Sequence, residues 1–203
     1  MLYSYGGIIF YIILLLELAT VMIFFERLLH LRRAQVDHLD FISGVCNLLD
    51  RNNALEAKMI CEETPGPVAA VVLTAIRHQT GTPGALRDAV DNTGRAEISR
   101  LERRVVSLAV ISQIAPLLGL LGTLIGVIKI VYLINDQAPL IKNTDLTVGL
   151  MGALVTTVAG LIVAITAHSM YALIMVRIER IVQDMEAAAS NMVAYLTTKT
   201  PAS

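Results

Sequence analysis

Three long apolar stretches dominate the hydropathy pattern of the chain. Residues 1–25 contain a single charged side chain, Glu17. Residues 105–134 contain only Lys129, and residues 146–176 contain no Asp, Glu, Lys or Arg. Each stretch is longer than the ~20 residues that a helix needs to cross a bilayer core. The first lacks the basic start and cleavage site of a signal peptide, so we expect it to be retained. The pattern therefore predicts three transmembrane helices.

The remaining segments have the spacing of amphipathic helices. Residues 26–104 are polar and helix-prone, with a break at residues 65–67, where the sequence reads Pro-Gly-Pro. After the break, apolar residues recur on one helical face: Val68, Val71, Val72, Ala75 and Ile76. Residues 177–203 carry an apolar stripe that continues the third span, which predicts one long helix. The expected fold class is an all-α membrane protein with three transmembrane helices and long helical extensions.

Composition and charge placement agree with this interpretation. Of 203 residues, 55% are hydrophobic and 16% are charged, which is too apolar for an ordinary soluble domain. The net charge of −1 gives no indication of a nucleic-acid partner. Arginines flank the spans on one side: Arg27, Arg32, Arg33, Arg100, Arg103, Arg104, Arg177 and Arg180. The positive-inside rule then places residues 26–104 and 177–203 in the cytoplasm. The N-terminus and the loop at 135–145 are predicted to be periplasmic.

The chain carries no recognisable signature of an enzyme. Cys46 and Cys61 form no CxxC pair, and the histidines show no ligand spacing, so we expect neither a metal nor a cofactor. Small residues at three- and four-residue steps in the second and third spans favour close helix packing rather than phosphate binding. The glycines of this set are Gly119, Gly122, Gly126 and Gly160.

Two hydroxyls lie at matching depths in the second and third spans. Thr123 lies eleven residues before Ile134, and Thr157 lies ten residues after Thr147. At ~1.5 Å rise per residue, both are about 15 Å below the same membrane face. Thr156 is adjacent to Thr157. These threonines can be packing residues, since threonine is common at helix contacts in membranes, or they can line a polar pathway for ions.

Two titratable side chains occur inside the predicted spans. A charged Glu17 costs several kcal/mol against lipid, so it should be protonated, paired or turned inward. It is either hydrogen-bonded to a neighbouring helix or part of a proton relay. His168, near the cytoplasmic end of the third span, is either a structural histidine or a relay group. The sequence leaves both alternatives open.

Two motifs resemble one family. GLLGTLIG at 119–126 and GALVTTVAGLIVAI at 152–165 are similar to the second and third membrane signatures of the MotA/TolQ/ExbB proton channels, closest to the ExbB/TolQ branch. The resemblance implies an inner-membrane stator ring, a pentamer, around a single-span ExbD/TolR-like partner that carries an essential Asp. Such a motor uses the proton motive force to drive a TonB/TolA-like protein. Thr123 and Thr157 match the family threonines that line the lumen.

The chain departs from that family pattern at two positions. Gly152 stands where ExbB and TolQ commonly have Glu, and Thr166 stands where they commonly have Pro. The first departure leaves the partner's Asp, or Glu17, as the titrating group. A non-conducting scaffold ring that anchors a partner complex is the alternative function. The sequence leaves open which envelope process is powered and whether H⁺ or Na⁺ is carried.

Overall fold

The computed structural model describes residues 7–34, 38–103, 105–137 and 143–199. Every element in these ranges is a helix: α1 (Gly7–Ala34), α2 (His38–Asp50), α3 (Ala54–Glu63), α4 (Pro67–Arg77), α5 (Pro83–Arg103), α6 (Val106–Gln137) and α7 (Asn143–Lys199). Within α1, α6 and α7 lie the stretches that are long and apolar enough to cross a membrane. The predicted all-α fold with three spans is confirmed.

The chain divides into two compact units. The first, here called the membrane unit, comprises residues 1–26 and 105–173. The second, here called the extramembrane unit, comprises residues 27–104 and 174–203. The predicted periplasmic loop at 135–145 lies partly outside the described residues, because positions 138–142 are not among them. Arg104 is also outside the described set.

In the membrane unit, one face of α1 contacts both other spans. Ile13 is buried with Ala115 of α6 and Val163 of α7 in a small apolar cluster. The opposite face of α1 exposes large apolar side chains: Leu14, Leu15, Leu18 and Met22. Such a surface is unfavourable in water and suits contact with lipid or with another membrane helix. The apolar residues of α1 therefore have two roles, internal packing on one face and bilayer contact on the other.

The extramembrane unit is built around α4. The five apolar residues that were predicted to share one face of this helix are all 5% exposed or less. They pack in one core with apolar residues of α2, α3, α5 and the C-terminal part of α7. The break before α4 is also confirmed, because α3 ends at Glu63 and α4 begins at Pro67. Gly66 at the break has φ 132°, a conformation that favours glycine.

The third span and the C-terminal tail form one helix, as the continuous apolar stripe predicts. α7 has 57 residues, which corresponds to about 86 Å at ~1.5 Å per residue. In the extramembrane unit, Met185 and Met192 of α7 are buried in the core. Tyr195, near the end of the helix, places its hydroxyl within hydrogen-bonding distance of the Asp50 carboxylate on α2. The tail of α7 is thus an integral part of the extramembrane fold.

Candidate functional site

The backbones of α6 and α7 are in direct contact at their glycines. A Cβ atom added to Gly160 would lie 2.7 Å from the Ala115 carbonyl oxygen and 2.9 Å from the Cα of Gly119. Further along the same contact, a Cβ on Gly126 would lie 2.7 Å from the Cβ of Ala153. No side chain larger than hydrogen fits at these positions without moving the helices apart. The interface therefore depends on small residues, as is common between membrane helices.

Thr157 makes a hydrogen bond across this interface. Its hydroxyl donates to the main-chain carbonyl of Gly119 at 3.1 Å. In an α-helix that carbonyl also accepts the amide of the residue four positions later, which is Thr123. The bond thus places the two threonines within about one helical turn of each other in depth. Thr123 is half-buried, and its own hydroxyl donates to the Leu120 carbonyl at 2.6 Å.

This arrangement determines which chemistry the two hydroxyls offer. A threonine hydroxyl has one proton to donate and two lone pairs that accept. In both residues the proton is directed to a main-chain carbonyl, so the lone pairs are what each hydroxyl offers to a third group. A protonated carboxyl group or a water molecule could donate to them.

Thr156 occupies a different environment from its neighbour. Its side chain is 2% exposed, and its hydroxyl donates to the Ala153 carbonyl at 2.7 Å. A Cβ added to Gly122 would lie 2.5 Å from this hydroxyl oxygen. The side chain of Thr156 therefore fills the space that Gly122 leaves open. This is the geometry of a packing residue, and its predicted place in an ion pathway stays a prediction.

Glu17 lies on the α1 face that turns toward the other spans. It follows the buried Ile13 by four residues and precedes Thr20, which is 0% exposed, by three. Its Oε2 atom is buried and has no hydrogen-bond partner among the described residues. The Thr20 hydroxyl donates a hydrogen bond to the Leu16 carbonyl at 2.8 Å. Thr20 is not among the residues predicted from the sequence, although its helical spacing from Glu17 indicates a shared face.

The second titratable candidate, His168, is exposed. Its ring centroid lies 6.4 Å from that of Tyr171, at an angle of 36° between the ring planes. Among the described residues, no group of three or more His, Cys, Asp or Glu side chains could hold a metal ion. His168 therefore belongs to no candidate metal site in the described part of the chain, and its predicted role stays a prediction.

Both departures from the family pattern lie in the spanning part of α7. Gly152 is buried, and its carbonyl lies 3.4 Å from the Thr156 hydroxyl. Thr166 donates its hydroxyl to the Ile162 carbonyl at 2.5 Å. Unlike proline, threonine keeps its backbone N–H and does not clash with the preceding turn. Position 166 therefore places no break in the long helix.

Comparisons with known proteins agree on one group. The sequence model of the MotA/TolQ/ExbB proton channel family matches residues 63–187. A biopolymer transport protein ExbB homolog of Methanothermobacter thermautotrophicus is 28% identical over 182 residues, which cover 89% of this chain and 64% of that protein. The ExbB-like 3 protein of Synechocystis is 29% identical over 161 residues, covering 79% of this chain and 77% of the relative. The biopolymer transport protein ExbB of Aquifex aeolicus is 33% identical over 87 residues, covering 43% of this chain and 58% of that protein. This chain thus spans less than two thirds of the archaeal relative's length.

Proposed function

Because the chain belongs to the MotA/TolQ/ExbB proton channel family, we propose that it is an ExbB-like stator subunit of an ion-driven motor in the inner membrane. The motor uses the proton motive force to energise an envelope process such as TonB-dependent uptake or Tol-Pal function. The observation that carries this proposal is the extent of the family match. Residues 63–187 include both spans that bear the threonine pair.

The subunit acts as part of a ring. Three helices are too few to enclose a pore by themselves, and the membrane unit exposes many large apolar side chains. A homo-oligomer, a pentamer by family resemblance, would cover part of that surface. The lumen would hold a single-span ExbD/TolR-like partner that carries an aspartate. A TonB/TolA-like protein would then transmit the motion to the envelope.

Within the ring, Thr123 and Thr157 form the polar contact for the partner's carboxyl group. Their lone pairs accept a hydrogen bond from the protonated acid, which needs no compensating charge at mid-membrane. When the acid loses its proton, a hydroxyl must rotate away from its carbonyl to donate to the carboxylate. The energy of the site therefore depends on the protonation state of the partner, and this dependence couples proton movement to rotation or displacement of the partner helix.

The test is reconstitution of the full chain with its single-span partner in liposomes. The partner is first identified by purifying the tagged chain from its native membrane and sequencing the co-purifying proteins. We expect an assembly that carries protons when a membrane potential is applied, and we expect replacement of the partner's in-span aspartate by asparagine to stop the flux. A complete assembly that carries neither H⁺ nor Na⁺ would overturn the proposal.

A non-conducting scaffold ring is the second candidate. One observation favours it: residues 146–176 of α7 contain no carboxylate, and Gly152 occupies the position where the family resemblance implies one. A scaffold would assemble with the same partner and anchor it, yet the liposomes would show no flux. The partner aspartate would then be replaceable without loss of cellular function. The same reconstitution therefore separates the two candidates.

A further inference from the structure

Glu17 is the only carboxylate within the three predicted spans, which cover residues 1–25, 105–134 and 146–176. Glu17 is half-buried. Counting from Ile13, the residues at i, i+4 and i+7 are Ile13, Glu17 and Thr20, which share one helical face. The first and last of these are 1% and 0% exposed. Glu17 thus belongs to the packed face of α1, although its charge is costly there.

One oxygen of the Glu17 carboxyl group, Oε2, is buried without a hydrogen-bond partner in the described part of the chain. A structural carboxylate in an apolar site is normally held by donors or by a cation, because an unmatched buried oxygen costs about 1–3 kcal/mol. Thr20, one turn away, directs its hydroxyl to the Leu16 carbonyl. Protonation lowers the cost of this site, because a neutral carboxylic acid is less costly to bury in apolar surroundings than a carboxylate.

The depth of Glu17 follows from the cluster that contains Ile13. That residue packs with Ala115 and Val163. Successive spans of one chain cross the membrane in alternating directions, so α1 and α7 run in the same direction and α6 runs opposite to both. Four residues later, Glu17 is level with Ala167, which is 0% exposed, and with Ile111 on α6. The carboxyl group therefore lies about 6 Å further toward the C-terminal end of α1 than the cluster.

Few other titratable groups share this environment. On α7, His168 and Tyr171 are within about one turn of that level. On α6, the described charged or titratable side chains of the span are Lys129 and Tyr132, both exposed and near the opposite end of the helix. On α1 itself, Tyr11 precedes Glu17 by six residues, and Glu26 and Arg27 follow it by nine and ten. His168 is therefore the one Asp, Glu, Lys, Arg or His side chain of the described residues of α6 and α7 that lies close to the depth of Glu17.

We propose that Glu17 is a proton-exchange site of the membrane unit, distinct from the threonine pair. When the contact between α1 and the α6–α7 pair loosens and water enters, the O–H bond of the acid breaks and its electron pair stays on the carboxylate oxygen. The proton passes to water. The reverse transfer restores the neutral acid when the contact closes. The proposal rests on the proposed function only in that the three helices span a membrane across which protons move.

The first test is chemical and does not depend on transport. Dicyclohexylcarbodiimide adds to protonated carboxyl groups in apolar surroundings, so the full chain in its membrane is treated with this reagent and mapped by mass spectrometry. We expect modification at Glu17 that decreases as the pH is raised, and none at this position in Glu17→Gln. If sodium ions suppress the modification at constant pH, Glu17 belongs to a cation site instead, and the proton assignment is overturned. Absence of modification at every pH would also overturn it.

The second test separates proton exchange from a structural role. In the reconstituted assembly, we expect Glu17→Gln to lower proton flux by on the order of 100-fold, because an amide cannot exchange a proton. Glu17→Asp should retain part of the flux, and both variants should assemble like the wild type. Full flux in Glu17→Gln would show that Glu17 serves packing alone. If the wild-type assembly carries no ions, the proposed function fails, whereas the chemical test still decides the role of Glu17.

Discussion

The hydroxyl of Thr157 and the carbonyl of Gly119 form a hydrogen bond of 3.1 Å between α7 and α6. The same carbonyl is the in-helix acceptor for the amide of Thr123. Two threonines on different helices thus converge on one backbone oxygen. Main-chain geometry therefore sets the relative depth of the two residues. A shift of α7 along α6 would change the position of one threonine hydroxyl relative to the other.

Replacing either threonine by valine should abolish energy-coupled function while the fold survives. Valine keeps the shape and removes the hydroxyl. In Thr157→Val the Gly119 carbonyl keeps its in-helix bond, so the loss of stability should be only about 0.6 kcal/mol, typical of a side-chain hydrogen bond in a membrane protein. Complementation of a strain that lacks the gene measures function, and thermal unfolding in detergent measures stability.

Serine is the matched control for that prediction. Thr123→Ser and Thr157→Ser keep the hydroxyl and lose only a methyl group, so they should retain much of the activity. Thr156→Val should also retain activity, because the Thr156 side chain fills the space beside Gly122 and bonds to its own helix. Full activity in both Thr123→Val and Thr157→Val would mean that these residues serve packing alone.

Gly160→Ala should destabilise the membrane unit. The added Cβ would lie 2.7 Å from the Ala115 carbonyl oxygen and 2.9 Å from the Gly119 Cα, which are both backbone atoms. The helices must separate, at a cost of about 1–3 kcal/mol in unfolding free energy. Gly84→Ala in α5 is the control, because nothing lies within 4 Å of its added Cβ. Equal unfolding temperatures for the two variants would contradict this account of the interface.

The sequence predicted the extramembrane core better than it predicted the membrane site. The spacing of apolar residues alone identified the buried face of α4. A helix between water and a protein core has polar residues on one face and apolar residues on the other, so the pattern is strong. In the spans, lipid and neighbouring helices are both apolar, so the pattern does not reveal which face is packed. Thr156 and Thr157 differ by about 100° around the helix. Only the structure distinguishes the one that lies against Gly122 from the one that bonds to Gly119.

Two glycines of the extramembrane unit should respond to alanine in opposite ways. Gly44 lies inside α2 with nothing within 4 Å of an added Cβ, so Gly44→Ala should stabilise by about 0.5–1 kcal/mol through helix propensity. Gly66 has φ 132° and ψ 162°, a region that is essentially restricted to glycine, so Gly66→Ala should destabilise by about 1–3 kcal/mol. Denaturant unfolding of the purified full chain provides both values. A gain in stability for Gly66→Ala would refute the assigned backbone conformation.

Cys61 should make stability depend on pH in the alkaline range. Burial, with a smaller contribution from the Glu62 carboxylate, raises the pKa of this thiol from 9.0 to about 11. The unfolded chain releases this proton at lower pH than the folded chain, so stability is retained below pH 9 and falls as the pH rises toward about 11. Comparison of wild type with Cys61→Ala across this window isolates the effect from other titrating groups. Parallel pH curves for the two proteins would contradict the prediction.

The orientation of the chain can be tested by cysteine labelling from the two sides of the membrane. Asn135 is exposed near the end of α6, and Ser190 is exposed on the tail of α7. Arg177 and Arg180 follow the third span, so the positive-inside rule predicts that the tail is cytoplasmic and that Asn135 faces the periplasm. In a background with Cys46 and Cys61 replaced by alanine, an impermeant maleimide added to intact spheroplasts should label Asn135→Cys. It should label Ser190→Cys only after the membrane is permeabilised. The reverse pattern would invert the topology and place the threonine pair at the same depth from the cytoplasmic side.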